Sequence, residues 1–129
     1  MVEVERMRLL LERKGQRALD RLFTPGERRY ANTHPEPVRQ LAARVAAKEA
    51  TYKALSGNDL ARAIGWREME IMSSGNSVPL MLLHGRARSR ANELGVTRVH
   101  LSISHTELIA AAYRSGRASG QEVRLGLAT

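Results

Sequence analysis

Hydrophobic residues in the first half of the chain recur at the spacing of helices. Met7, Leu10 and Leu11 fall on one helical face, and Gly15 is typical of the residue that ends a helix. The pattern continues over residues 16–23, which predicts a second short helix. The chain therefore opens with helical structure over most of its first two dozen residues.

Two further helix starts are marked by capping residues. In the sequence Thr-Pro-Gly-Glu at 24–27, the threonine is suited to cap a helix and the glutamate to reach back to it. We expect that helix to fade by His34. A longer helix is predicted to begin near Pro37 and to stop around Ser56-Gly57.

The longer helix places a carboxylate, Glu49, near the centre of an apolar face. Lys53 lies one turn later, at the edge of that face, which is formed by Val38, Leu41, Ala42, Val45 and Tyr52. A buried carboxylate requires a cation, a metal or a proton, so the pattern favours a functional site. An ordinary salt bridge between residues four apart explains the same spacing equally well.

The second half of the chain has the pattern of a sheet. Strands are predicted over 66–72, 78–83, 99–103 and 109–113, with a turn at 73–77 that contains Gly75-Asn76. A helix over 85–94, ended by Gly95, interrupts them. The tail after Ser115 is expected to be frayed or to form an edge. Helices followed by antiparallel strands predict an α+β fold.

Composition narrows the class of partner. The 129 residues carry a net charge of +8, which indicates an anionic partner such as nucleic acid, a phosphorylated small molecule, an acidic protein or an anionic membrane. Aromatic residues make up only 4%, which disfavours binding to single-stranded nucleic acid. The sequence has no cysteine, signal segment or run long enough to span a membrane, which favours the cytoplasm.

Four arginines in the first two helices recur at spacings of seven, four and four, and we call this set the arginine face: Arg6, Arg13, Arg17 and Arg21. A solvated surface explains most such sets. The sharper hypothesis is a docking surface, and the nearby carboxylates suit a specific acidic protein at least as well as DNA.

Familiar catalytic motifs are absent from the sequence. His105 lies among serines and threonine, but no Gly-x-Ser-x-Gly elbow accompanies it, so a serine hydrolase is disfavoured. A Walker loop, a Rossmann glycine pattern and a His-x-x-x-His zinc motif are also missing.

Five segments together resemble the holo-[acyl-carrier-protein] synthase family of 4′-phosphopantetheinyl transferases, in the family's order. They are VEVERM at 2–7, FTPGERRYA at 23–31, RVAAKEATYKAL at 44–55, the W-x-x-x-E-I pattern at 66–71 and SISHT at 102–106. The resemblance implies that family's α+β fold, an antiparallel sheet packed against helices, in one domain over 1–129 with a tail from about 116.

The resemblance also implies a reaction, the transfer of 4′-phosphopantetheine from coenzyme A to a serine of apo acyl carrier protein in fatty acid biosynthesis. Glu49 would be a catalytic ligand of Mg²⁺, and Lys53 would contact the phosphates and assist the leaving group. The other implied coenzyme A contacts are Arg44, Pro79 beside the pantetheine arm, His105 and Thr106. The arginine face would dock the acidic carrier protein, and the short members of this family form homotrimers.

The chain departs from the family pattern at its start. The family has a Gly-x-Asp strand whose aspartate is a metal ligand, and that residue would fall immediately before Met1. Val2 and Val4 alternate with charged residues, as at the end of a strand. The first strand is therefore expected to be missing, through a mis-annotated start, a truncation or a weakened protein.

Two other hypotheses compete with the transferase. The net charge and the arginine face suit a basic nucleic-acid-binding module, although this leaves Glu49 without a task. The other hypothesis is a truncated form that binds coenzyme A or carrier protein without transferring the group.

Overall fold

A computed structural model describes residues 2–73, 79–104, 107–114 and 122–125 of the chain. The helices are α1 (Val2–Lys14), α2 (Gln16–Leu22), α3 (Pro25–Asn32), α4 (Pro37–Leu55), α5 (Asp59–Arg62) and α6 (Gly85–Leu94). The strands are β1 (Met69–Met72), β2 (Leu80–Leu83), β3 (Val96–Ser104), β4 (Glu107–Arg114) and β5 (Glu122–Leu125). The α+β prediction is confirmed.

Most helix ends lie where the capping residues predict them. Thr24 accepts from the backbone N–H of Glu27, and the Glu27 side chain accepts from the N–H of Thr24, so the capping box at α3 is complete. Gly95 ends α6 in the left-handed conformation, with φ of +74°. Pro37 occupies the first turn of α4, where its missing N–H is not needed.

Three local predictions need correction. Val2 and Val4 belong to helix α1, because the backbone there is already helical and Val4 packs against a hydrophobic cluster. Residues Trp66–Glu68 form a turn of 3₁₀-helix that leads into β1, so this strand is shorter than predicted. Helix α5, capped by the side chain of Asn58, was not predicted.

The five strands form one antiparallel sheet whose order follows the chain, β1-β2-β3-β4-β5. Met69 pairs with Leu83 and Met72 with Leu80 across the first hairpin. Strand β5 pairs with β4, so residues 122–125 of the tail form an edge strand. The predicted turn at 73–77 falls mostly outside the described residues, as do Val78, His105 and Thr106.

Helix α4 lies between the helical half and the sheet. It packs against α1 and α3 on one side and against β1, β4 and α6 on the other. Its residues therefore enter both hydrophobic clusters, with Leu41 and Ala42 in one and Ala47 and Leu55 in the other. Among the helices that the structure describes, none is both long and apolar enough to cross a membrane.

Candidate functional site

Glu49 and Lys53 lie one turn apart on α4, on its solvent side. Glu49 is partly buried and Lys53 is exposed. Within the described residues neither side chain forms a salt bridge or hydrogen bond, so the ordinary salt bridge between them is absent. Both charged groups are therefore available for a ligand that bears charge of either sign.

The buried face of α4 is a different one from the face that the sequence pattern indicated. Residues at spacings of three, four, three and four are all buried, and they are Leu41, Arg44, Lys48, Thr51 and Leu55. The prediction that Glu49 stands at the centre of the buried face is wrong. Val38, Val45 and Tyr52, its predicted neighbours, are themselves only partly buried.

The buried cation is Lys48, the residue before Glu49. Its Nζ lies 2.7 Å from Oε1 of Glu27, and neither side chain has exposed surface (0% each). Nζ also donates to the carbonyl oxygen of Leu22 at 2.6 Å and lies 5.2 Å from the centre of the Phe23 ring. A buried charge of this kind is tolerated only with such partners.

Glu27 connects three elements through its two carboxylate oxygens. Oε1 accepts from the backbone N–H of Thr24 at 2.9 Å as well as from Lys48. Oε2 accepts from the backbone N–H of Ile71, in strand β1, at 3.0 Å. One carboxylate thus holds the start of α3, the middle of α4 and the edge strand of the sheet.

Glu70, beside Ile71, extends this network to the surface. Its Oε2 accepts from the hydroxyl of Thr24 at 2.7 Å, and its Oε1 lies 3.0 Å from Nε2 of His84. Partial burial alone would raise the pKa of Glu70. The hydrogen bonds from Thr24 and His84, together with the charges of His84 and Lys48, outweigh burial and lower the pKa.

The pKa of Lys48 is also lowered, because burial disfavours the charged ammonium, and the charge and hydrogen bond of Glu27 oppose that effect. The stability of this network therefore depends on the charges of Lys48 and Glu27 being present together. Removing one charge would leave the other buried without compensation.

Arg44 is 3% exposed and lies one turn before Lys48. Its guanidinium stacks over the Tyr30 ring at 4.5 Å and donates to the hydroxyl of Ser73 at 2.9 Å and to Gln40. Its buried Nε has no hydrogen-bond partner among the described residues, which leaves one N–H to offer. Burial lowers the pKa of Arg44, and the neighbouring Tyr30 and Glu27 oppose that effect.

The structure does not bring all the predicted site residues together. Arg44 and Glu49 are five residues apart on one helix, which turns their side chains about 140° from each other. Pro79 is buried just before β2. His105 and Thr106 lie outside the described residues.

The arginine face is exposed on α1 and α2. Arg6, Arg13, Arg17 and Arg21 are all exposed, and none forms a salt bridge to a described residue. Leu9, 46% exposed, lies between Arg6 and Arg13 on the same side of α1. The surface therefore combines unpaired positive charge with an exposed aliphatic side chain.

Among the predicted site residues, Glu49 supplies the single carboxylate that could bind a divalent metal. In the described ranges no three groups of histidine, cysteine, aspartate or glutamate lie close enough together to hold a metal ion. Mg²⁺ at phosphate sites is commonly held by one or two carboxylates together with the phosphates of the substrate. Glu49, partly exposed and without a partner among the described residues, fits that arrangement, with the remaining ligands from substrate and water.

Comparison with known proteins identifies the family. The chain matches the model of the 4′-phosphopantetheinyl transferase superfamily over residues 1–112, and it belongs to that superfamily. The resemblance seen in the sequence segments is thus confirmed.

Individual relatives agree with this assignment. The holo-[acyl-carrier-protein] synthase of Koribacter versatilis is 41% identical over 112 residues, which span 87% of this chain and 89% of the relative. The synthase of Solidesulfovibrio magneticus is 43% identical over the same shares. The crystal structure of the Neisseria meningitidis synthase gives a TM-score of 0.68 at 28% identity, over 84% of this chain and 90% of that one.

A relative with a bound nucleotide is also similar. The acyl carrier protein synthase of Plasmodium yoelii with ADP bound gives a TM-score of 0.68 at 25% identity, over 88% of this chain and 90% of that one.

Proposed function

We propose that this chain transfers the 4′-phosphopantetheine group of coenzyme A to a serine of apo acyl carrier protein. The products are holo carrier protein, for fatty acid biosynthesis, and 3′,5′-ADP. The observation that carries the proposal is identity above 40% to two holo-[acyl-carrier-protein] synthases over nearly nine-tenths of their lengths. The absence of cysteine from the sequence suits the cytoplasm, where coenzyme A and the carrier would be met.

In this reaction the serine oxygen forms a bond to the β-phosphorus of coenzyme A. The bond from that phosphorus to the bridging oxygen breaks, 3′,5′-ADP leaves with its electrons, and the serine proton is lost. Lys53, exposed and without a partner in the described part of the chain, would contact the phosphates and neutralise or protonate the departing group. Glu49 would hold Mg²⁺, which supplies charge neutralisation at the diphosphate when bound.

Coenzyme A would also contact residues other than Glu49 and Lys53. We propose that Arg44, through its spare N–H, binds a phosphate oxygen, since a buried guanidinium N–H without an acceptor favours an anion. Pro79 would line the pantetheine arm. His105 and Thr106 are retained as proposed contacts on the strength of the sequence resemblance.

The arginine face would dock the acidic carrier protein. Unpaired arginines suit carboxylates on the partner, and Leu9 between two of them suits an apolar side chain at the centre of the contact. Docking there would steer the carrier by charge and fix it by a small apolar contact.

A homotrimer is the proposed assembly. Met72 and Leu80 are cross-strand partners at the end of the first hairpin, and they are 52% and 55% exposed. Such an exposed apolar pair, with Met72 on the edge strand β1 and Leu80 on its neighbour β2, favours burial against another subunit. Sedimentation of the wild-type chain and of Leu80→Lys would test this proposal, and a monomeric wild type would refute the trimer.

The transfer itself is tested by incubating the chain with apo carrier protein, coenzyme A and Mg²⁺ and then weighing the carrier. The proposal expects the mass of one phosphopantetheine group to be gained. The assay is repeated with a chain extended upstream by a Gly-x-Asp strand. If the carrier gains no mass with the chain as given and none with the extended chain, the proposal is refuted. Coenzyme A binding without transfer would favour the non-catalytic hypothesis.

Binding of duplex DNA is measured alongside. Tight DNA binding that falls steeply with salt, in a chain that does not bind coenzyme A, would favour the nucleic-acid hypothesis.

A further inference from the structure

Helix α4 is attached at two points one turn apart, one to strand β1 and one to Ser73, the residue that follows that strand. Arg44 donates directly to Ser73, and Lys48 reaches Ile71 through the carboxylate of Glu27. Four helical residues advance about 6 Å, and two strand residues advance about 6.6 Å, so the two spacings match. The helix is therefore fixed against both sliding and rotation relative to the strand.

Stability alone does not account for the second attachment. Apolar residues of similar volume often stabilise a protein core as much as a buried ion pair does, because the two charges lose their hydration when they are buried. The ion pair differs from an apolar contact because its hydrogen bonds are directional. Lys48 donates to two oxygens, and Glu27 accepts from three donors on three elements, so a small displacement of α4 breaks several bonds at once.

Glu49 directly follows Lys48 in the chain, so its backbone position is determined by these bonds. We propose that Glu27 and Lys48 are positioning residues that fix where the carboxylate of Glu49 stands. This inference rests on the proposed transferase function for its catalytic consequence, although its geometric consequence is independent of that function.

The first test compares two variants that disturb the same buried face of α4. Glu27→Gln/Lys48→Met removes both charges together and leaves an amide oxygen to cap Thr24. Thr51→Val is the control, since the hydroxyl of this buried residue donates to Ala47 in its own helix and to no other described residue. Circular dichroism melting gives the folded fraction of each.

We expect kcat of the double variant to fall about 100-fold, with KM for coenzyme A changed less than about twofold, because misplaced groups slow the chemical step. The control should keep kcat within about threefold. If the double variant does not fold, Glu27→Asp, which keeps both charges but shortens the link between α3, α4 and β1, replaces it, with about a tenfold loss expected. A kcat in the folded variant equal to that of the control would overturn the proposal.

The second test does not need turnover. The chain has no cysteine, so Arg29→Cys and Lys53→Cys allow nitroxide labels on α3 and α4 alone. Pulsed electron resonance, with unlabelled chain in excess, then measures their separation within one chain. We expect one narrow distance distribution with Glu27 and Lys48 intact or with Thr51→Val, and a shifted or broadened one in the double variant.

An unchanged distribution in the double variant would overturn the positioning role. If the wild-type chain transfers nothing, the proposed function fails, and the label distances alone decide on Glu27 and Lys48. The two failures are thus distinguishable.

Discussion

Lys48 and Glu49 are adjacent in sequence but have opposite surroundings. Successive residues of a helix are separated by about 100°, so one side chain enters the core while the next reaches the solvent side. Lys48 has no exposed surface, whereas Glu49 is partly buried and has no partner among the described residues. The charge that is paired in the core and the charge proposed for the site therefore belong to consecutive residues of α4.

Glu49→Gln should remove transfer while preserving the fold. We expect turnover to fall at least about 100-fold, because a neutral amide is a much weaker ligand than a carboxylate for the Mg²⁺ that would neutralise the charge of the reacting diphosphate. The melting temperature should stay close to that of the wild type, since Glu49 makes no hydrogen bond to a described residue. Carrier mass measured over time gives the rate.

Asp59→Asn, at an exposed site, is the matched control for this change. Near-normal turnover of Glu49→Gln would contradict the assignment of this carboxylate to the site.

The lowered pKa of Glu70 predicts a dependence of stability on pH. Because the carboxylate is favoured in the folded state, its contribution is present above its ordinary pKa of about 4.3 and is lost as pH falls through the lowered value. Glu70→Gln should therefore destabilise the protein at pH 7 and matter less once the pH has fallen below the lowered pKa of Glu70. Urea unfolding at several pH values measures the difference in the free energy of unfolding between the wild type and Glu70→Gln. A difference that does not vary with pH would contradict the prediction.

At the scale of elements, the end of α4 is held by a side chain from α6. Arg90 donates through Nε to the carbonyl oxygen of Leu55 and through Nη2 to that of Ser56. These carbonyls lie at the helix C-terminus, where a cation is favourable. Two N–H groups of the Arg90 guanidinium thus fix the last turn of α4.

Arg90→Lys should cost about 1–2 kcal/mol, because a single ammonium cannot reach both carbonyls in the same geometry. Urea unfolding provides the measurement. Arg88→Lys, an exposed change on the same helix, should alter stability by less than about 0.5 kcal/mol. Equal effects of the two variants would show that the fork is not what holds the end of α4.

The sequence was sufficient to predict five of the six helices, because proline, threonine and glycine marked their ends. It could not predict α5, whose four residues depend on a cap from Asn58 and on packing against α6. The start of β1 was also misjudged, since the hydrophobic pattern continues through a 3₁₀ turn.

The candidate site was predicted only in part. The resemblance indicated Glu49 and Lys53, but the buried face of α4 carries Arg44, Lys48 and Thr51, which are polar or charged. A hydrophobic pattern therefore does not mark that face. The partner of Lys48 lies 21 residues away in another helix, so no local pattern could have identified it.

At the scale of the whole molecule, the net charge of +8 includes the exposed arginines of α1 and α2, which form no salt bridge to a described residue. Arg13→Glu/Arg17→Glu should raise KM for the carrier protein about tenfold, with kcat and KM for coenzyme A unchanged, since rim charges mainly affect association. The effect should shrink as salt is added.

Steady-state kinetics at two salt concentrations measure this effect. Arg88→Glu, on α6, reverses an exposed charge elsewhere and serves as the control. Equal increases in KM for both variants would show that net charge, and not the arginine face, attracts the carrier.

The order of the sheet has a consequence for how the chain folds. Every strand pairs with its successor along the chain, so the pairings within the sheet join nearby segments, whereas the bond from Glu27 to Ile71 spans 44 residues. Because long loops close more slowly, we expect the helical half and the sheet to form first and to join last. Glu27 lies at this joint, together with the bonds from Arg44 to Ser73 and from Thr24 to Glu70, so kinetic traps of this protein should be states in which both halves are formed and Glu27 is still solvated.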